Sequence, residues 1–288
     1  MRHTLRFLWT HPVLTGRPIY AFGRFLLWQL RSRPLTKPIE YAWIGPAKLW
    51  LRRGWTGVTG NYYAGLHEFE DMGFLLHFLR PDDLFADVGA NMGSYTVLAG
   101  AVRQARVYAY EPIAETNRRL EQNISLNRME GRVVVRRCAV GAANGSVRMT
   151  CSHDATNHVI PGRDEGETVS LVALDVDLTE TPILFKIDVE GYESEVLQGM
   201  TRHLANPGLM AIIIELNGSG ERYGMSDAGV HGLLLSAGFR PYRYSPLARR
   251  LTPLATHGVL NTLYCRDVEF VERRLCGSAA FTALGRIF

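Results

Sequence analysis

From residue 84 onward, short apolar runs alternate with stretches of helical period. LFADV (84–88), RVYAY (106–110), RVVVRRC (132–138), ILFKID (183–188) and LMAIIIE (209–215) each have strand length. The last is nearly all apolar, as expected for a strand buried on both faces of a parallel sheet. Helices are predicted near 93–103, 114–127, 192–204 and 226–237, the last stopped by Gly238. A strand-like piece at 146–151 follows a Gly/Asn turn, and 152–167 is polar and turn-rich. Strands near 239–244 and 260–266 close the chain with no helix between them, which predicts an antiparallel end to the sheet. Upstream, PIYAFGRFLLWQL (18–30) is a helix that Pro34 and Pro38 stop, and 41–65 reads as short strands and turns. Leu66, Phe69, Met72, Leu76 and Leu79 recur at three- and four-residue intervals, predicting a helix over 65–80 that Pro81 ends. The alternation makes this an α/β protein with a doubly wound, mostly parallel sheet.

Length and charge refine that picture. A chain of 288 residues suits one large α/β domain with an N-terminal extension, divided here as 1–60 and 61–288. Residues 1–39 hold Arg2, Arg6, Arg17, Arg24, Arg31, Arg33 and Lys37 and no acid, which exceeds the chain's net charge of +4. The head is basic and the body slightly acidic. Basic residues flanking Trp9 and Trp28 suit a helix docked on the body, the preferred reading, or one lying on a membrane surface. A basic excess confined to the head argues against a nucleic-acid partner. Cys138, Cys151, Cys265 and Cys276 show no metal-finger spacing and read as reduced thiols. No signal peptide and no spanning segment is recognised, so the expectation is a cytoplasmic protein, with the inner membrane face as a peripheral location.

In such a sheet, ligands sit beyond the carboxyl ends of the strands, beside the first one. Strand 84–88 delivers Asp87, Gly89, Ala90, Asn91 and Gly93 to that edge. Gly89 permits a tight turn, and Gly93 lets the helix backbone approach a ligand. The pattern D-x-G-x-N-x-G is not G-x-G-x-x-G: the second glycine of a dinucleotide loop falls at Asn91, whose side chain obstructs a pyrophosphate. No Lys-Ser/Thr pair follows, which excludes a Walker loop. A first ligand without phosphate favours S-adenosylmethionine. Glu111 ends strand 106–110, where a carboxylate accepts both hydrogens of a ribose diol. Asp87 would then stand near the sulfonium and amino group, and Glu68 or Glu70 would reach the methionine amino group.

LFKIDVEGYESEVLQGM (184–200) carries Asp188 at the end of the strand expected beside the first, and Glu190 two residues on. A carboxylate there can orient an acceptor hydroxyl, act as base, or hold a divalent ion. Glu215 and Asn217 add polar groups at the next strand end. Acceptor hydrogen bonding is preferred over a metal at this rim, and no metal ligands are assigned. Lys186 is expected to pack its stem or pair locally. His158 in ATNHVI is the histidine chosen as a catalytic base, since its loop could fold over the strand ends. An antiparallel sheet end distinguishes methyltransferases from the runner-up, a nicotinamide-dependent oxidoreductase. A cofactor-binding partner protein without turnover is the third reading.

DVGANMGSYT (87–96), YEP (110–112) and KIDVEGYESEVLQGM (186–200) together resemble the FkbM family of S-adenosylmethionine-dependent methyltransferases, over roughly residues 60–270. The resemblance implies a class I methyltransferase fold and O-methylation of a sugar, glycolipid or natural-product hydroxyl. It maps the glycine loop to Asp87–Gly93, the ribose acid to Glu111 and the D-x-E-G pair to Asp188 and Glu190. Catechol-type O-methyltransferases carry adjacent Asp-Asn after the fifth strand, whereas here the spacing is Glu215-x-Asn217.

Overall fold

The apolar runs of the chain become neighbours in one sheet. A computed structural model describes residues 7–34, 36–151, 157–160 and 166–288; Arg2, Arg6 and much of the polar stretch 152–167 lie outside them. The strands of the central sheet are β1 (Leu84–Val88), β2 (Arg106–Tyr110), β3 (Val133–Arg136), β4 (Leu184–Ile187), β5 (Ala211–Glu215), β6 (Arg240–Ser245), β7 (Arg250–Pro253) and β8 (Asn261–Cys265). Their spatial order is β7-β6-β8-β5-β4-β1-β2-β3. From β5 to β3 every pairing is parallel, and β8 inserts antiparallel between β5 and β6. This is the class I methyltransferase arrangement, with the antiparallel strand where the lack of a connecting helix placed it.

The sheet has a core on each face, because alternate residues of each inner strand are buried on opposite sides. Phe85, Leu184, Ala211 and Ile213 join one apolar cluster with the helices Phe69–Phe78 and Ala114–Leu126. Ala86, Phe185, Ile187, Ile212 and Ile214 join the other with Glu193–Gln198 and Asp227–Ser236.

Four elements depart from the sequence expectation. Thr56–Ala64 is helical rather than strand-and-turn. Its two glycines and β-branched residues are poor helix formers, and tertiary packing overrides them. A Cβ at Gly57 would come within 2.7 Å of Asn91 Oδ1, and one at Gly60 within 2.3 Å of His67 Nδ1, so the bare backbone lets this helix press against the glycine turn. Residues 145–149 form a separate three-stranded sheet with 139–140 and 167–172 in the connection from β3 to β4, which also holds the short helix Leu174–Asp177. The predicted helix 192–204 is two short ones, Glu193–Gln198 and Thr201–Ala205. Finally, β8 does not close the chain. A helix, Val268–Cys276, follows it, with Asp267 as N-cap accepting from Phe270 N–H and only Val271 and Leu275 buried. A terminal hairpin then brings Phe288 onto Phe69 and His77.

The N-terminal segment is docked on the body. Ala21 and Trp28 of the helix Pro18–Ser32 are buried in the same cluster as Phe69. The strand Lys48–Leu51 has one edge satisfied by side chains of the helix Ala114–Leu126 and its cap. Asn123 Oδ1 accepts from Trp50 N–H at 2.8 Å while its Nδ2 donates to Met92 O at 2.8 Å. Asn127 does the same for both backbone groups of Lys48. Asn123 thus ties the N-terminal hairpin to the turn after β1. Replacing it by Ala strands a part-buried donor and a buried acceptor, so Asn123→Ala is expected to lower unfolding free energy by about 2–3 kcal/mol in a urea titration.

Candidate active site

The turn after β1 is shaped by the strand beside it. Gly89 has φ +83°, and a Cβ on it would lie 1.8 Å from the carbonyl oxygen of Asp188. Only glycine lets the end of β4 come this close, and the contact brings D-x-G-x-N-x-G and D-x-E-G together. Asn91 also takes a left-handed backbone, φ +49°, with its Oδ1 accepting from Met92 N–H at 2.7 Å. Gly93 packs closely against the helix Ala114–Leu126. Its φ is +88°, a Cβ there would strike Leu120 Cδ1, and it lines none of the cavities described here.

Two adjacent cavities open at this edge. Both are bordered by Gly89, Asn91, Asp188 and Glu190. The first is mostly apolar, with Val88, Ile113, Val140, Met149 and Val159 among its walls and Glu111 at its floor. Glu111 Oε2 accepts from Asn91 N–H at 3.0 Å and Oε1 from Ile113 N–H at 2.9 Å, which holds the carboxyl in one orientation. Burial raises its pKa to about 7, against those two hydrogen bonds.

The second cavity, of about 260 Å³, is acidic. Glu68, Asp87, Asp188, Glu190 and Glu215 line it, with Lys186 the one lysine or arginine among its described walls. Lys186 is 2% exposed; its Nζ donates to Asp188 Oδ2 at 3.0 Å and to Asn261 Oδ1 at 3.3 Å. Burial opposes its charge, yet Asp188, Glu68 and Glu215 raise its pKa above the ordinary lysine value. Asn261 Nδ2 in turn donates to Glu68 Oε1 at 2.8 Å and Asp71 Oδ2 at 3.1 Å, and Tyr95 OH donates to Glu68 Oε2 at 2.7 Å. Burial raises Asp87 to about 6, opposed by the Thr96 hydroxyl that donates to it at 2.6 Å. Burial and then the charge of Glu68 raise Asp71 to about 7, and burial and then Asp188 raise Glu190 to about 7. Glu215 is raised by burial and by the charge of Asp188. Glu190 holds φ +56°, an unusual backbone for a side chain of its size and one that recurs at functional sites.

Of the residues singled out in the sequence, Asp87, Gly89, Ala90, Asn91, Glu68, Asp188 and Glu190 converge on the acidic cavity, and Glu111 on the apolar one. His158 is not brought to either. Its neighbours Asn157 and Val159 line the apolar cavity, and in an extended chain the residue between them faces away. Glu70 pairs with Arg243 at 3.5 Å on a neighbouring groove instead of entering the cavity. Sequence reasoning missed Asp71, Tyr95 and Asn261. Asp71 was findable, because it stands three residues after Glu68 on one helix face. Asn261 was not, since it depends on β8 pairing Asn261 opposite Glu215.

Asp188, Glu190 and Glu215 each offer an oxygen within 4.8 Å of the others, a spacing that could hold a divalent ion. Here Lys186 already supplies counter-charge to Asp188. An apolar chamber with a buried carboxyl, beside an acidic one that holds the Lys186 ammonium, fits a ligand with an aromatic base, a diol and a cationic end. It fits a nucleotide phosphate poorly. S-Adenosylmethionine has that chemistry.

The sheet order and this two-part cavity define the class as a methyltransferase of the class I fold. Residues 87–241 match the Methyltransferase FkbM domain, and the chain belongs to that family. It is 32% identical over 149 residues to the hexuronic acid methyltransferase AglP of Haloferax volcanii, a match covering 50% of this chain and 59% of that protein. The chain thus spans about three-fifths of the length of this curated relative. Among solved structures it is similar to the FkbM methyltransferase of Methylobacillus flagellatus, with 18% identity and a TM-score of 0.45 over 72% of this chain and 52% of that one. It is also similar to M. capricolum TrmK bound to S-adenosylhomocysteine, at 10% identity and a TM-score of 0.38, over 68% of this chain and 66% of that one.

The crowded carboxyls have a pH signature. Asp71, Asp87, Glu111 and Glu190 have folded pKa values of about 6 to 7, above their ordinary 3.8 to 4.5. The folded state therefore binds more protons than the unfolded one across that interval, and the stability this confers is lost as pH rises through 6 to 7. The ligand-free protein should melt at progressively lower temperature from pH 5 to pH 8 in scanning fluorimetry. A cationic ligand, S-adenosylmethionine, should restore more at pH 8 than neutral S-adenosylhomocysteine.

Proposed function

We propose that the chain is an S-adenosylmethionine-dependent O-methyltransferase whose acceptor is a sugar hydroxyl, free or on a glycolipid, with hexuronic acids the first class to test. The observation that carries this reading is the sharing of Asp188 and Glu190 between the apolar chamber and the acidic one. When bound, the cofactor supplies a methyl group on an electron-poor sulfonium. Val140, Met149 and Val159 would hold the adenine ring, Glu111 the ribose diol, and Asp87 and Glu68 the charged end. Gly89 and Ala90 leave room for it. Residues 61–288 would form the catalytic domain and residues 1–60 the extension docked on it.

The acceptor would enter by a groove of about 520 Å³ lined by His67, Glu68, Arg243, His257 and Asn261, a size within the roughly 300–1,000 Å³ of small-molecule sites. Glu68 and His67 border both this groove and the acidic cavity. Asp188, held by Lys186, would orient the acceptor hydroxyl. Glu190, with its pKa near 7, would take the hydroxyl proton, because a base titrating near the working pH balances availability against strength. A cavity this rich in carboxyls repels an acceptor carboxylate and tolerates a neutral hydroxyl, which supports transfer to hydroxyl oxygen even on an acidic sugar. The free thiols at all four cysteines suit the cytoplasmic setting proposed here.

Labelled-methyl transfer tests the proposal. The protein should move label from S-adenosylmethionine onto hexuronic acids, other sugars or glycolipids as an alkali-stable ether, with a rate that rises as pH passes about 7. Glu190→Gln should flatten that rise and slow transfer by roughly 10²–10⁴-fold with little change in cofactor affinity. Label released by mild alkali would place transfer on a carboxylate, and no transfer to any of these acceptors would sink the substrate class.

A further inference from the structure

The helix Pro18–Ser32 carries two apolar stripes. Ala21, Phe25, Trp28 and Ser32 recur every three or four residues and face the body, where Trp28 packs on Tyr62 with ring centroids 4.9 Å apart. Ile19, Phe22, Leu26 and Leu30 recur at the same spacing on another face and remain 45–89% exposed. Trp9 is 72% exposed. It borders the same apolar hollow as Ile19 and Phe22, together with Leu8, Leu14 and Pro18. A contiguous surface of this kind is more than scattered exposed side chains, and it marks a site of contact.

Charge selects the occupant. Residues 1–39 contain seven basic groups and no acid. Arg31, Arg33 and Lys37 are exposed at or beyond the end of the helix that bears the stripe. Arg17 and Arg24 are turned to the body, donating to Leu284 O and Tyr62 O. Apolar and aromatic groups on one side, flanked by cations in a segment that holds no acid, match an anionic lipid interface. They match less well a second copy of this same basic surface, which would place like charges together. No helix among the described residues is long and apolar enough to cross a membrane, so the mode is lying on the surface.

We propose that Trp9 and the Ile19–Phe22–Leu26–Leu30 face seat the protein on an anionic lipid surface, with Arg31, Arg33 and Lys37 reaching the headgroups. Phe7, two residues before Trp9, lines the groove of the acceptor together with the exposed Val259 and Leu260. A lipid surface at this face would lie beside the groove's mouth. The proposal itself does not depend on the methyl-transfer reading.

Vesicle co-sedimentation of the full chain tests it. Binding to vesicles of equal phosphatidylglycerol and phosphatidylcholine should exceed binding to pure phosphatidylcholine by at least about tenfold, and should weaken at high salt. F22D/L26D should reduce binding about tenfold or more while leaving the melting temperature nearly unchanged. Arg31→Glu with Arg33→Glu, which touches no apolar contact, should reduce it severalfold and serves if the first variant fails to fold. Equal or absent binding to both vesicle types would overturn the proposal. So would sedimentation velocity showing a dimer that F22D/L26D dissociates, without vesicle binding, because the face would then be covered by a second copy.

Discussion

Lys186 Nζ lies within 3.3 Å of both Asp188 Oδ2 and Asn261 Oδ1, and the acidic cavity is arranged around that buried ammonium. Without it, Asp188 would lose its ion pair, and Glu68 and Glu215 a nearby positive charge. The ammonium could not stay charged alone at 2% exposure either. Each side makes the other tolerable. What results is a cavity whose carboxyls outnumber its ammonium, so that a ligand bringing one more positive charge completes it.

The fold supplies this cluster from strands far apart in sequence. Asp87 and Lys186 are register partners across β1 and β4, and Asn261 and Glu215 across β8 and β5. Gly89 lets β1 and β4 end close together, and Glu111 pins the intervening turn through Asn91 N–H. The N-terminal half acts on the same turn from outside. Gly57 allows its helix to approach Asn91, Asn61 Nδ2 donates to Ser94 Oγ at 2.9 Å, and Asn123 joins Met92 to the hairpin. Thr56 and Gly57 of the extension also border the acidic cavity, so the extension forms part of its wall.

The parallel strands, the antiparallel end and the glycine turn were all legible in the chain, because period and turn chemistry are local signals. Asp188 and Glu190 were legible as strand-end acids. Thr56–Ala64 was hidden by residues that disfavour helix and are present for close packing. The second sheet was hidden because its pairing is non-local, and Val268–Cys276 because it buries only two apolar side chains. Lys186 was rightly expected to pair locally, with Asp188 two residues on, but its second partner, Asn261, lies 75 positions away. His158 illustrates the opposite error: its loop does reach the cavity, and alternation turns its two neighbours inward in its place.

The central claim is that the apolar chamber floored by Glu111 receives the adenosine of S-adenosylmethionine. Isothermal titration of S-adenosylhomocysteine and of NAD into the wild-type protein and Glu111→Ala addresses it directly. The account predicts saturable binding of S-adenosylhomocysteine, weakened roughly tenfold to a hundredfold in Glu111→Ala as two hydrogen bonds to a charged group are lost, with no comparable binding of NAD. Binding of NAD alone, or of S-adenosylhomocysteine with the same affinity in both proteins, would contradict it.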